Sequence, residues 1–264
     1  MKILVTFALE NEFAPWRALR DFRAGKWCDA SVHCARVGAA DVGVVLTGAG
    51  PKQARLQASK VLRAESDSES APVRLCISSG LAGALKSRYQ IGQILTARSV
   101  RTEAVHDEDT ADVLESSAPL LSFAAECDAT VVDQFYSAER VVGRAEEKRH
   151  LGAHADAVEM ESFEVLLAAA AFGIPAVAIR TVSDAVDDDL PLDMNRIFTD
   201  DGRLSVSRVL GQVAQHPASV PDLVRLGRNS KLAAVSLGHF LDRYIAFVAE
   251  RFNPLELRAG VAAP

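Results

Sequence analysis

Hydrophobic residues come first along this chain as short unbroken runs and later as a helical stripe. Residues 2–8 (KILVTFA), 42–47 and 73–77 are rich in Val, Ile and Leu without polar alternation, the pattern of strands buried on both faces. The second run leads into Gly48-Ala49-Gly50 and the third into Ser78-Ser79-Gly80-Leu81-Ala82-Gly83, both of which predict tight turns. Pro51 opens an amphipathic stretch to residue 63, a helix with proline in its favoured first turn. An Ala-rich run at 161–172 predicts another helix, and residues 176–182 a further buried strand. Short strands are expected at 93–98 and 130–132, around a polar loop at 103–112. Helices are expected near 204–214 and at 229–252, where Leu232, Val235, Leu241, Ile245 and Val248 recur on one face.

Strand–turn–helix alternation of this kind predicts an α/β fold of three layers, a mostly parallel mixed sheet flanked by helices. Without an internal repeat or linker, the sequence reads as a single domain over 1–264 with a helical extension from about residue 200.

Composition narrows the chemistry. With 49% hydrophobic and 24% charged residues, the 264-residue chain falls outside the disordered, collagen-like and coiled-coil classes. A formal charge of −6 leaves no cationic excess to neutralise phosphates, which argues against nucleic acid or an anionic membrane as the main partner and favours a small molecule. The longest apolar run, 165–179, is interrupted by Gly173 and Pro175 and is too short to span a bilayer. Acids at Glu10 and Glu12, soon after the first apolar stretch, read as mature cytoplasmic sequence. Cys28, Cys34, Cys76 and Cys127 form no CxxC pair and read as buried thiols; His106, His150 and His154 lack metal-ligand spacing and read as exposed. No metal or organic cofactor is expected.

The candidate chemistry lies at strand ends, where open α/β sheets build their sites. Glu10 and Glu12 follow the first strand, Arg180, Ser183 and Asp184 end a later one, and Glu159-Met160-Glu161 precede a helix. Alternate residues of an extended segment point the same way, so Glu159 and Glu161 can face one cavity. Each also has a plainer reading. Glu10, Glu12 and Glu161 are acids at helix starts, Ser183-Asp184 a cap or turn, and Gly80 and Gly83 packing glycines.

The order FALENEF (7–13), SSGLAGAL (78–85), AVEMES (157–162) and RTVSD (180–184) resembles the purine nucleoside phosphorylase and nucleosidase superfamily. The nearest branch is the 5′-methylthioadenosine/S-adenosylhomocysteine nucleosidases, and the likeness covers roughly residues 1–184. It implies cleavage of the N-glycosidic bond of a purine nucleoside, with hydrolysis of a 5′-substituted adenosine first. Phosphorolysis to ribose 1-phosphate, which would make phosphate a second partner, and non-catalytic nucleoside binding are the alternatives. Glu12 then matches the acid that activates water, Glu161 the carboxylate on the ribose hydroxyls with Glu159 beside it, and Met160 the residue against the ribose. Asp184, presented by Ser183, matches the acid that protonates the leaving purine, and residues 135–142 hold the base-contacting loop. Gly48 and Arg180 border the phosphate or water pocket, beside the glycine segment with Gly80 and Leu81. The reaction asks for such a set on its own account, since positive charge develops on the ribose and negative charge on the base. A proton kept on Asp184 at neutral pH calls for burial away from cations.

The chain departs from the family pattern at two positions, the first costing a hydroxyl contact to the water or anion and the second favouring hydrolysis over phosphorolysis. Leu81 stands where the nucleosidases usually have serine, and Ser78 where hexameric phosphorylases have arginine, leaving Arg55 and Arg180 as the anion-binding candidates. Leu81, the DLPLDMN segment (189–195) and the C-terminal extension also resemble a subgroup associated with hopanoid lipids, which removes adenine from adenosylhopane. That likeness implies an apolar channel at the ribose 5′ position, with the last helix as either a wall of it or a weak membrane contact. The wider resemblance implies a homo-oligomer, a dimer first.

Overall fold

The computed structural model describes residues 1–27, 30–66, 72–103, 112–199 and 201–252, so Cys28, His106 and most of the polar loop at 103–112 lie outside the described residues. The chain opens with β1 (Lys2–Phe7), α1 (Glu10–Leu19), β2 (Arg23–Trp27), β3 (Ala30–Val37), β4 (Ala40–Leu46) and α2 (Pro51–Ser66). β5 (Val73–Ala84), β6 (Ile94–Arg101), β7 (Val113–Glu115), α3 (Ala118–Glu126) and β8 (Thr130–Ser137) follow. The last part holds α4 (Ala145–Leu151), β9 (Ala157–Glu159), α5 (Ser162–Ala171), β10 (Ala176–Asp184), α6 (Met194–Ile197), α7 (Val206–Gln215) and α8 (Val220–Arg251).

The unbroken apolar runs become the parallel centre of the sheet, β4–β1–β5–β10, covered on both faces. Elsewhere the sheet is mixed. β2–β3–β4 fold back as antiparallel neighbours, β6 pairs antiparallel with β10 and β7, and β5 with β9. β2 and β3, which the apolar pattern does not announce, form that edge and leave several side chains outside the core.

β5 departs most from expectation. Its backbone does not turn at 78–83 but continues as strand to Ala84. β1 lies along one edge as far as Ser78, β10 pairs the other from Cys76 to Gly83, and β9 joins at Gly83 and Ala84. Pairing therefore holds these glycines extended, and through β10–β6–β8–β9 the sheet closes back on β5. Between the end of β1 and the start of β9, a short stretch of one β5 edge has no strand neighbour.

Helices cover both faces. α2 packs with α5 on one, and α1 and α3 pack with α8 on the other. α8 starts at Val220, ahead of the expected 229. By length and composition it could cross a membrane, but half of its most apolar window is buried inside the fold, where Leu237, Leu241, Tyr244, Ile245 and Val248 complete the core. At Gly238 a Cβ would lie 3.0 Å from the Trp16 backbone nitrogen, so glycine lets α8 approach α1 closely. Cys76 is buried in β5, where desolvation pushes its thiol up to about 12, and His150 and His154 are exposed as expected.

Candidate active site

The unpaired stretch of β5 is where the acids gather. The chain leaves β1 at Phe7 and turns into α1, which carries Glu12 in its first turn and buries it. Glu12 Oε2 accepts the Leu9 N–H (3.0 Å) and Oε1 accepts the Leu81 N–H (3.1 Å), so the carboxylate fills the place a neighbouring strand would take. Burial pushes its affinity for a proton above the ordinary carboxylate range, against the pull of these N–H donors and of Arg180. Glu10, one turn-face away, is exposed and paired with Arg17, as its plainer reading predicts.

Arg180, on β10 opposite Gly80, is buried under the same stretch. Its guanidinium donates to Glu159 Oε2 (2.5 Å), Ser78 Oγ (3.2 Å) and the Ile179 carbonyl, and lies 3.8 Å from Glu161. Glu159 Oε2 also accepts the N–H groups of Glu161 and Ser162, anchoring the start of α5. The two acids flanking Met160 therefore share one guanidinium but differ in access, since the Glu159 side chain is 0% exposed and that of Glu161 14%. Glu161 Oε1 accepts the Gly50 N–H, and burial together with the charge of Glu159 raises its pKa to about 7. Met160 brings its methyl toward Gly50. Glu159 Oε1 and Arg180 Nε are buried without a protein partner.

The N–H groups of the turn at 48–50, placed beside a phosphate or water pocket by the resemblance, are engaged within the protein. Gly48 N–H goes to the Ala8 carbonyl, Ala49 N–H to the Gly202 carbonyl and Gly50 N–H to Glu161. Gly48 has φ +83° and its missing Cβ would meet the Asp201 carbonyl at 2.7 Å, so the 201–202 turn closes over it. With Arg180 neutralised by Glu159 and Glu161, both residues expected to border a phosphate pocket are committed inside the protein. Arg55 lies elsewhere, exposed and 3.9 Å from Glu164.

Asp184 ends β10 opposite Gly83, three residues beyond Gly80 and so about 10 Å further along β5. The two glycines make room for the two carboxylates. A Cβ on Gly83 would sit 2.9 Å from Asp184 Oδ2, and one on Gly80, at φ +154°, 3.3 Å from Glu12 Oε1. Ser183 Oγ donates to Asp184 Oδ1 (2.8 Å), so serine does present the acid.

Asp184 is buried as its expected role demands, yet its surroundings are not free of cations. Lys148, on α4 and 0% exposed, donates to Asp184 Oδ2. Its ammonium also donates to the Ala185 and Asp188 carbonyls, both at 3.0 Å. Nothing in the sequence singles out Lys148, a lysine in a polar stretch 36 residues before its partner. A cleft beside Asp184 is lined by Asp188, Leu190, Pro191, Asp222, Arg225 and Leu226, so the start of α8 walls this end of the site.

Comparison with known proteins agrees with this architecture. 5′-Methylthioadenosine/S-adenosylhomocysteine nucleosidase of Helicobacter pylori superposes with a TM-score of 0.69 at 20% identity, over 93% of this chain and 97% of that one. Futalosine hydrolase of the same organism gives 0.69 at 20% identity over 95% and 98%. The Neisseria meningitidis methylthioadenosine/S-adenosylhomocysteine nucleosidase gives 0.69 at 17% over 93% and 98%. No curated protein sequence matches the chain. The family model of the phosphorylase superfamily matches residues 2–214, most of the chain including Glu12, Glu159, Glu161 and Asp184, and the protein belongs to that superfamily.

Proposed function

We propose that the protein hydrolyses the N-glycosidic bond of a 5′-substituted adenosine and releases adenine. The observation that carries the reading is the charge layout at β5. Glu12 and the Arg180–Glu159–Glu161 group lie at one point of the strand, Asp184 lies about one nucleoside length further on, and the turn N–H groups and most of the Arg180 guanidinium that would hold phosphate are engaged within the protein, with Arg180 Nε left over. A phosphate placed beside Glu12 and Glu161 would meet two carboxylates around a guanidinium already paired, whereas water meets a buried base.

In this reading the glycosidic bond lies between the two carboxylate ends. Its electron pair moves into the purine, and positive charge builds at the anomeric carbon. Glu161 holds the ribose hydroxyls, with Glu159 and Arg180 fixing its place, and Met160 packs against the sugar. Glu12 takes the proton of the attacking water; its burial makes it a stronger base than a solvated carboxylate. Asp184, oriented by Ser183, delivers a proton to the purine. Gly80 and Leu81 line the floor, and Leu81 favours an apolar 5′ substituent, methylthio or lipid.

Incubation with methylthioadenosine, S-adenosylhomocysteine, adenosine and inosine, with and without phosphate, tests this by the free base released. Base without phosphate is the expected result. Strict dependence on phosphate would make the protein a phosphorylase, and intact nucleoside bound without turnover a binding protein.

The lipid version of the substrate draws on a surface feature. Seven of the ten exposed large apolar side chains among the described residues, Leu204, Val206, Leu210, Val220, Val224, Leu232 and Val235, lie on or beside α7 and the first half of α8. Residues 203–232 carry five cations against Asp222 alone, in a chain of net charge −6. We assign this face to weak contact with anionic lipid. Co-sedimentation with phosphatidylglycerol vesicles but not phosphatidylcholine vesicles, lost in Leu210→Asp with Val224→Asp, is expected. The homodimer belongs to the same reading and is tested by light scattering; a dimer that buries this face would overturn the lipid assignment.

A further inference from the structure

Lys148 is the one wholly buried lysine among the described residues, and the scheme above gives it no task. Its three ammonium hydrogens have three acceptors, the Asp184 carboxylate and the carbonyls of Ala185 and Asp188. It thus fixes both the acid and the turn that follows. Charged groups nearby are already engaged. Arg149 pairs with Asp187, Arg225 with Asp188 and Asp222, and Asp189 accepts the Ala145 N–H.

We propose that Lys148 is a positioning residue that acts through Asp184 and supplies the proton delivered to the leaving purine. The ammonium in contact with the carboxylate places a proton within reach of Asp184 on the side away from the purine. The Lys148–Asp184 pair holds one proton more than a lone carboxylate. As the glycosidic bond breaks and its electron pair enters the purine, Asp184 passes to the purine nitrogen the proton it draws from Lys148 Nζ. Lys148 ends as a neutral amine beside a carboxylate, the water's proton rests on Glu12, and solvent exchange resets both. Lysine can give up a proton in this way, whereas arginine cannot.

The inference rests on the nucleosidase reading, and the test separates the two. Turnover of methylthioadenosine is compared with that of 4-nitrophenyl riboside, whose leaving phenolate needs no proton. In Lys148→Met and Lys148→Arg the ratio of the two kcat values is expected to fall by about 100-fold or more, with the methylthioadenosine KM changed only a few-fold. Equal loss on both substrates would reduce Lys148 to a structural role, and recovery of purine turnover by Arg would leave it a fixed charge; either overturns the proposal. Should neither variant fold, the wild-type enzyme decides, because water activation by Glu12 is common to both substrates and a larger solvent deuterium effect on kcat is expected with methylthioadenosine than with the riboside. An absent or equal effect overturns the proposal. Failure of the wild type to cleave the riboside, methylthioadenosine or a lipid-substituted adenosine overturns the nucleosidase reading itself.

Discussion

β10 carries two buried ion pairs four residues apart, and they are built for different purposes. At Arg180 the partners are sealed, with the Arg180 and Glu159 side chains 1% and 0% exposed, and the cation cannot lose its proton under physiological conditions. At Asp184 the acid is on the strand, the cation is a lysine, and the carboxylate is 12% exposed beside a cleft. A sealed arginine pair suits a fixed framework, which in the proposed reading holds the sugar. A lysine pair beside a cleft suits the end where the proposed reaction needs a proton.

The largest expected effect breaks the proton end. Asp184→Asn keeps the shape of the side chain but removes the acid, and kcat on the purine nucleoside should fall by about 10²–10⁴-fold, with an unchanged circular dichroism spectrum. Near-normal turnover would detach Asp184 from the chemistry.

Arg180→Met breaks the framework end instead. It leaves Glu159 buried without its cation, which should destabilise the protein by about 3–5 kcal/mol. The melting temperature is expected to drop by roughly 10 °C; a change within a degree would show that Glu159 finds another partner or is neutral.

Gly83→Ala disturbs the seat of Asp184 without touching its charge. The 2.9 Å approach of a Cβ to the carboxylate should lower kcat through displacement of Asp184 and destabilise the fold by about 1–3 kcal/mol, as read by activity and urea unfolding. Unchanged kcat would mean the acid can shift without consequence.

The smallest effect concerns the pH dependence of stability. Glu161 titrates near 7 in the fold and near 4.5 when unfolded, so the native state binds the extra proton in between. Its contribution is fully present below about pH 4.5 and is lost as pH rises toward and past 7. Glu161→Gln should flatten that part of the stability profile; an unaltered slope in urea titrations at pH 5 and 7.5 would contradict the assignment.

The legible part of the site consisted of residues whose sequence neighbours announce them. Glu12, Glu161 and Asp184 stand at junctions of strand, turn and helix, and their segments carry the resemblance to the superfamily. Three features were not legible. The glycines of 78–83 read as a turn, because glycine alone does not distinguish a bend from room made for another chain segment. The partners of the 48–50 turn were hidden, because its N–H acceptors come from residues 8, 161 and 202. Lys148 carried no signal, because a buried lysine looks like any other until its partner is known.

By itself, then, the sequence determined the buried strands, through runs of branched apolar residues that can be satisfied only inside a sheet covered on both faces, and it named the acids. Tertiary structure alone decided which polar groups neutralise one another. Pairing energies depend on distances of a few ångströms between segments far apart in the chain, and burial magnifies them, so Arg180 became framework and Lys148 became the neighbour of Asp184 only once β5, β10 and α4 had come together.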